Sequence, residues 1–87
     1  MISEEKTLGA IANNNRIKII RFLKMEKKAT TVGEIAKAIK LSFGGTSKHL
    51  RLLDTADIIK MRKESLEVYY SLDDNMPPLS KLIINAL

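Results

Sequence analysis

Three side chains able to bind an anion stand close together in the middle of the chain, at Ser47, Lys48 and Arg51. In an α-helix these positions share one side, with Arg51 about one turn beyond Lys48. Ser42 is a preferred N-cap residue, so it predicts a helix start whose free N–H groups lie beside them. Hydroxyl, ammonium and guanidinium groups bind phosphate, and Lys and Arg also bind guanine edges. The set favours an anionic partner over an ordinary solvated helix face.

These residues fall in the second of two short helices that the sequence predicts within residues 31–56. The first helix opens with a capping box, in which Thr31 and Glu34 satisfy each other's backbone N–H groups. The second helix carries Leu50 and Leu53 on its apolar side. The apolar face of the first helix is formed by Ile35, Ala36 and Ile39. Two such helices with a tight turn are typical of a helix-turn-helix that presents its second helix to a partner.

The flanking sequence predicts three further helices and a hairpin. Helices are expected from Ser3 to about Ala12, over 16–25 and over the apolar C-terminal segment LSKLIINAL. Alternating residues in IIKMRK and LEVYYSL predict two strands, and Glu64 and Ser65 fall at their turn, which lacks glycine and should therefore be longer or less regular. The central helix has a broad apolar face made by Ile17, Ile19, Ile20, Phe22, Leu23 and Met25. The fold class is mainly α with a two-stranded β-wing, in the order α-α-α-α-β-β-α, as a single domain over residues 1–87.

The order and spacing of these segments resemble the ArsR-type winged helix-turn-helix regulators. The resemblance covers nearly the whole chain, and the matching residues and motifs are Leu8, Ala12, Arg16, Ile19 and Leu23, EIAKAI, LS before TSKHLRLL, IIKMRKE, and VYYSLDD. It implies a transcriptional regulator, a repressor in the commonest case, whose 42–55 helix enters the major groove while the 60–70 wing meets the DNA backbone. It also implies a homodimer on an imperfect inverted repeat of double-stranded DNA.

Carried over position by position, the resemblance assigns the DNA contacts to the second motif helix and the wing. The residues are Ser42, Gly44, Gly45, Thr46, Ser47, Lys48, Arg51, Arg62 and Lys63. For Gly44 and Gly45 two interpretations stay open: the helix begins only near Thr46, or its first turn is loose until DNA orders it. Phe43 stands where the family usually has a polar residue, which favours a thymine-methyl or packing contact. Exposed Lys on the wing also serves as ordinary protection of an edge strand.

The two terminal helices are expected to form a two-fold dimer interface, because a chain of 87 residues has little interior left for them. The apolar residues assigned to this interface are Leu8, Ile11, Leu79, Leu82, Ile83 and Ala86.

Net charge is unevenly distributed along the chain. Residues 1–30 have seven Lys/Arg and three acids, residues 31–63 again have seven and three, and residues 64–87 have one and four, which gives +4, +4 and −3. The basic part coincides with the helix-turn-helix and one strand, as an anionic partner requires. No signal peptide and no apolar run of about 20 residues is present, which predicts a soluble cytoplasmic protein with no membrane contact.

Several other classes of function are disfavoured by the residues present. Without cysteine there is no disulfide or thiolate chemistry, and the metal-sensing cysteines and histidines of related repressors are missing, so no metal site or cofactor is expected. His49 is the only histidine, and a half-buried orienting role is as plausible as DNA contact. The sequence shows no pairing of a nucleophile with a base, so no catalytic residue and no enzyme are predicted. The effector is unknown, and the alternative function is a winged-helix protein-interaction module without a DNA target.

Overall fold

The computed structural model describes residues 1–87 as five helices and a three-stranded antiparallel sheet. The helices are α1 (Glu4–Ile11), α2 (Asn14–Glu26), α3 (Val32–Ile39), α4 (Phe43–Thr55) and α5 (Pro78–Ala86). The strands are β1 (Thr30–Thr31), β2 (Ile59–Glu64) and β3 (Glu67–Leu72), arranged in the order β1-β3-β2. The predicted fold class is confirmed. Only β1 is additional, because a two-residue strand is too short to show a period of two in sequence.

Four helices begin with a side-chain cap of the same kind. Ser3, Asn13, Thr31 and Ser42 each accept a hydrogen bond from the backbone N–H three residues later, at 3.0 to 3.2 Å. The capping box predicted for α3 is present, since Glu34 accepts from the backbone N–H of Thr31 at 3.1 Å. That hydrogen bond, and a second from the Thr31 hydroxyl, lower the pKa of the Glu34 carboxyl. Local sequence thus determines where the two helices of the motif start.

The core lies where α2, α3 and α4 meet the base of the sheet. Leu50 and Leu53 of α4 are fully buried, and they belong to the same apolar cluster as Ile19 and Ile20 of α2. Each such side chain contributes roughly 1.5–3 kcal/mol by leaving water. The predicted apolar face of α2 is confirmed except at Met25, which is 79% exposed.

The turn between α3 and α4 is short and closely packed. Helix α3 ends at Lys40, which adopts the left-handed conformation (φ 58°), and α4 begins at Phe43 directly after its cap Ser42. The interpretation that α4 begins only near Thr46 is therefore wrong. A Cβ atom on Gly45 would lie 3.0 Å from Ser42 Oγ and 3.2 Å from Leu41 Cγ. A side chain at residue 45 would therefore crowd Ser42 and Leu41, and one of them would have to shift.

The wing is a regular hairpin in which Ile59 pairs with Leu72 and Glu64 pairs with Glu67. Only Ser65 and Leu66 separate the strands, so the expectation of a longer or irregular turn is wrong. Ser65 supplies the left-handed conformation (φ 54°) that glycine would otherwise provide. Leu66 is 94% exposed at the tip.

The C-terminal helix α5 contacts the N-terminal helix α1. Ser80 and Ile84 are its buried residues. Its last turn is held by Lys24 of α2, whose Nζ donates to the carbonyl oxygens of Ile84 at 2.9 Å and Asn85 at 3.4 Å. A cation at the C-terminal end of a helix is favourable because the free carbonyl groups carry partial negative charge. No helix is both long enough and apolar enough to cross a membrane.

Adjacent glycines allow a direct test of the turn. A Cβ on Gly44 would have nothing within 4 Å, whereas a Cβ on Gly45 would crowd the cap. We expect Gly44→Ala to raise the free energy of unfolding, by up to about 1 kcal/mol, because alanine is the better helix former. Gly45→Ala should displace the Ser42 cap, which costs roughly 0.5–2 kcal/mol and outweighs the same gain. Urea denaturation of both variants measures the difference, and equal stabilisation by both would contradict this account of the turn.

Candidate nucleic-acid interface

Helix α4 has one buried and one exposed side. Thr46, Leu50 and Leu53 are buried on the inner side. The outer side exposes Lys48 and Arg51, with Ser47 half-buried at its margin. Neither Lys48 nor Arg51 forms an ion pair with an acidic residue, because the two salt bridges of the structure lie in or beside the wing. Two unpaired cations therefore project from a helix whose opposite side is fixed in the core.

Thr46 does not belong to this outer surface. Its side chain is fully buried, and its Oγ1 donates a hydrogen bond to the carbonyl oxygen of Ser42 at 2.8 Å. The prediction that Thr46 contacts DNA is contradicted by this burial. The residue instead closes the first turn of α4, where its methyl group packs inward and its hydroxyl finds a backbone acceptor.

The N-terminal end of α4 is open to solvent. Ser42, Phe43 and Gly44 are exposed, and Phe43 leaves 64% of its surface accessible. The first backbone hydrogen bond of the helix runs from the Thr46 N–H to Ser42, and the Ser42 side chain accepts from Gly45. The N–H groups of Phe43 and Gly44 thus remain free at the positive end of the helix dipole. An approaching phosphate or base edge meets these donors together with Ser47 and Lys48.

The two basic residues assigned to the wing lie on opposite faces of β2. Arg62 shares its face with Lys60, whereas Lys63 alternates to the other face and pairs with Val68 on β3. Arg62 Nε lies 3.3 Å from Glu64 Oε1, and both side chains are largely exposed. An exposed pair of this kind contributes at most about 1 kcal/mol, so Arg62 can exchange Glu64 for a phosphate.

Arg16 joins α1 to α4 through hydrogen bonds that sequence reasoning did not predict. Its Nε donates to the carbonyl oxygen of Ala10 at 2.6 Å, and Nη2 donates to that of Gly9 at 3.4 Å. Its Nη1 lies 3.1 Å from His49 Nδ1. A guanidinium only donates, so Nδ1 is the acceptor and the imidazole is neutral with its proton on Nε2. One indication of this contact was present in the sequence, which is that Arg16 and His49 both belong to the motifs shared with the ArsR-type regulators.

The electrostatic surroundings of His49 keep it uncharged. Burial lowers its pKa from the ordinary value of 6.5, and the nearby charges of Arg16 and Lys48 lower it further. Because its Nδ1 is occupied by Arg16 and its ring is half-buried, the geometry favours the orienting role over direct DNA contact.

The residues predicted for a dimer interface separate into two groups. Leu8 and Leu82 are 50% and 69% exposed, Ala86 is exposed, and Leu79 and Ile83 are half-buried. Ile11 differs, because it is only 5% exposed and belongs to the core cluster. Ile11 therefore has almost no area left for a second subunit, and its assignment to the interface is corrected.

Residues 13–61 match the family described as "Bacterial regulatory protein, arsR family". The chain belongs to the ArsR family. This stretch includes α2, the helix-turn-helix and the start of the wing, so Arg16, His49 and the exposed cations of α4 all lie within the part that defines the family.

Relatives in this family carry regulatory names. The chain is 42% identical over 69 residues to a cadmium resistance transcriptional regulatory protein CadC homolog of Staphylococcus aureus, covering 79% of this chain and 56% of that protein. It is 33% identical over 67 residues to a transcriptional repressor SmtB homolog of Synechocystis sp., covering 77% and 49%. The chain thus spans about half the length of these curated relatives. The crystal structure of the transcriptional repressor PagR of Bacillus anthracis superimposes with a TM-score of 0.76 at 29% identity, covering 95% of this chain and 90% of that one.

Groups able to bind a transition metal are scarce in this ArsR family member. It has no cysteine, and no three side chains of His, Cys, Asp or Glu lie close enough together to hold a metal ion. The two acidic residues that follow the wing have different partners. Asp73 Oδ1 accepts a hydrogen bond from the Asn75 N–H, and Asp74 Oδ2 lies 3.7 Å from Lys60 Nζ.

The Arg16–His49 contact gives a pH dependence of stability. Because the pKa of His49 is lower in the folded protein, the unfolded chain binds a proton first, and stability decreases as the pH falls through and below 6.5. We expect the melting temperature to fall between pH 7.5 and pH 5.5. His49→Asn keeps an acceptor for Arg16 but does not titrate, so its melting temperature should fall less over the same range. An identical decrease in both proteins, measured by thermal denaturation, would rule out His49 as the source.

Proposed function

We propose that this ArsR family member is a dimeric transcriptional repressor that binds double-stranded DNA sequence-specifically through α4. The observation that carries this proposal is the exposure of Lys48 and Arg51, with Ser47 half-buried beside them, on a helix whose inner side is buried at Thr46, Leu50 and Leu53. The Synechocystis relative and the PagR structure are both named as transcriptional repressors. Chromosomal DNA as the target places the proposed activity in the cytoplasm.

In this proposal the N-terminal half of α4 enters the major groove. Ser47 and Lys48 face base edges or flanking phosphates, Arg51 lies one turn further along, and Ser42, Gly44 and Gly45 let the backbone approach a phosphate closely. Phe43 can contact a thymine methyl group, because 64% of its surface is accessible. Arg62 and Lys63 are assigned to backbone contacts on either side of the wing.

The second part of the proposal is a two-fold dimer formed by the remaining apolar surface of α1 and α5. Leu8 and Leu82 are its centre, with Leu79, Ile83 and Ala86 around them. Exposed leucines on two contacting helices form an apolar patch of the kind that marks an interface. A two-fold axis would present two copies of α4 to successive major grooves, so we expect an imperfect inverted repeat with half-sites about 10 bp apart, centre to centre.

The DNA contacts are tested by neutral substitution of the two exposed cations. A duplex for the measurement is obtained by selection of bound sequences from a random pool. We expect Lys48→Ala and Arg51→Ala each to weaken binding to it by about 5-fold to 100-fold, since such contacts contribute roughly 1–3 kcal/mol. Melting temperatures should hardly change because neither side chain is paired. Lys37→Ala removes the same charge from the exposed side of α3 and is the matched control.

Salt dependence distinguishes DNA binding from the alternative of a protein-interaction module. A dimer with ~6–10 phosphate contacts should lose ~10³–10⁵ in affinity between 50 and 200 mM salt, as measured by fluorescence anisotropy. Failure to enrich any duplex, or equal weakening by Lys37→Ala and Arg51→Ala, would refute the proposed use of α4.

The dimer is tested separately with a charge on α5. Leu82→Glu should shift the protein to monomers at micromolar concentration, because a carboxylate cannot be buried in an apolar interface without a partner. DNA affinity should fall at the same time. Leu66→Glu introduces the same charge at the wing tip, where the side chain is 94% exposed, and should leave the protein dimeric. Sedimentation velocity measures both, and a Leu82→Glu protein that stays dimeric would contradict the interface.

A further inference from the structure

A groove of about 420 Å³ lies between the C-terminal end of α2 and the wing, away from the exposed side of α4. Five of its ten lining residues are basic. They are Lys24, Lys27, Lys28, Lys60 and Arg62. Asp74 is the only acidic residue in the lining, and its side chain is 93% exposed. The groove therefore holds an excess of positive charge that the protein itself does not neutralise.

Within the protein these cations form only exposed ion pairs or hydrogen bonds to uncharged groups. Lys60 Nζ is 3.7 Å from Asp74 Oδ2, and both side chains are more than half exposed. Lys24 donates to two backbone carbonyl oxygens, which carry no formal charge. Lys27 and Lys28 take part in no hydrogen bond or ion pair with an acidic residue, although Lys28 is near enough to Glu34 to help lower the pKa of its carboxyl. Cations held together without counter-charge repel one another, and an anion between them removes that repulsion.

Lys27 stands at the C-terminal end of α2, on the wall of the groove. Lys27 ends α2 in the left-handed conformation, with φ 57°. Glycine adopts this conformation at lower cost and is the usual residue at such a helix end. Lys40 caps α3 in the same conformation, and what distinguishes Lys27 is that it lines the groove.

We propose that this groove is a binding site for a phosphorylated small molecule carrying at least two negative charges. Its volume falls within the range of small-molecule sites, roughly 300–1,000 Å³. Four of the five cations are lysines approaching from separate elements, α2, the following loop and β2. Lysine ammonium groups bind phosphate as point charges, and several of them approaching from different directions can contact different oxygens of one phosphoryl group. The Ser71 hydroxyl on β3 adds a further donor to the wall.

This site does not depend on the proposed DNA binding, although it borders two elements used there. Arg62 belongs to the wing, and Lys24 holds the last turn of α5, which carries Leu82. A bound phosphoryl group competes with the α5 carbonyls for Lys24 and with Glu64 for Arg62.

The test compares Lys27→Gly with Lys40→Gly. Both lysines end a helix in the left-handed conformation, with φ 57° and 58°, so both substitutions remove one positive charge and relieve the same backbone strain. Lys40 lies in another cavity, beside Lys18 and Arg21, which makes it a control with basic surroundings of its own. The probe is inorganic pyrophosphate at fixed ionic strength, measured by calorimetry and by amide chemical shifts.

We expect pyrophosphate to shift the amides of Lys27, Lys28 and Ser71, and Lys27→Gly to weaken its binding by about five-fold, as loss of one exposed charge contact allows. Lys40→Gly should bind it as the wild type does, and neither variant should melt at a lower temperature. Equal weakening in the two variants, or absence of binding, would overturn the site.

A separate arm measures the affinity for the selected duplex as a function of salt. The slope of log affinity against log salt concentration reports the number of DNA phosphates contacted. If Lys27→Gly reduces the magnitude of this slope by about one while pyrophosphate does not bind, the phosphates recognised belong to the DNA backbone. That result would overturn the assignment to a small molecule. If Lys27→Gly weakens pyrophosphate binding and leaves the slope unchanged, the site is confirmed whether or not α4 is the DNA-reading helix.

Discussion

The rotation of α4 about its own axis is the constraint on which the exposed surface depends. Leu50 and Leu53 have no accessible surface, and Thr46 is equally enclosed one turn earlier. An α-helix turns by about 100° per residue, so a shift of a single position would carry Arg51 toward the core and Leu50 into water. Burial of the two leucines opposes that shift by several kcal/mol, on the order of 3–6 in total. The positions of Lys48 and Arg51 are thus set by apolar contacts made on the other side of the helix.

Polar contacts at both ends of the molecule complete this arrangement. Arg16 uses its guanidinium to join the last carbonyls of α1 to His49 on α4, and Lys24 joins the end of α2 to the end of α5. In each case a cation meets the free carbonyl groups at a helix C-terminus, where its charge is favoured. The terminal helices therefore have fixed positions relative to the central motif.

The sequence predicts what is encoded by neighbours along the chain. The Thr31–Glu34 capping box, the Ser42 cap and the alternation in the wing are local patterns, and each has the structure expected of it. The differences arise where distant contacts decide. Thr46 shares the inner face of α4 with Leu50 and Leu53, where a polar residue is not recognised as buried from its type. Ile11 is buried because α1 packs against other elements of the core. The Arg16–His49 contact joins residues 33 positions apart, which no spacing rule connects.

Turn conformations are a second feature in which the structure differs from the sequence-based prediction. The hairpin closes in two residues because Ser65 adopts a left-handed conformation, which residues other than glycine adopt at a moderate cost. Strand pairing on both sides stabilises that conformation, and the sequence of the turn alone does not show it. The helix caps were therefore better predicted than the turn of the wing.

The crowding around Gly45 has a consequence for protein engineering. A combinatorial library designed to give α4 a new binding preference can vary residues 44, 48 and 51, which are exposed, and residue 47, which is half-buried at their margin. Residues 45 and 46 are best kept constant, because a side chain at 45 would crowd the Ser42 cap and Thr46 is fully buried. The exposed positions of α4 are thus open to redesign, whereas Gly45 and Thr46 in its first turn maintain the fold.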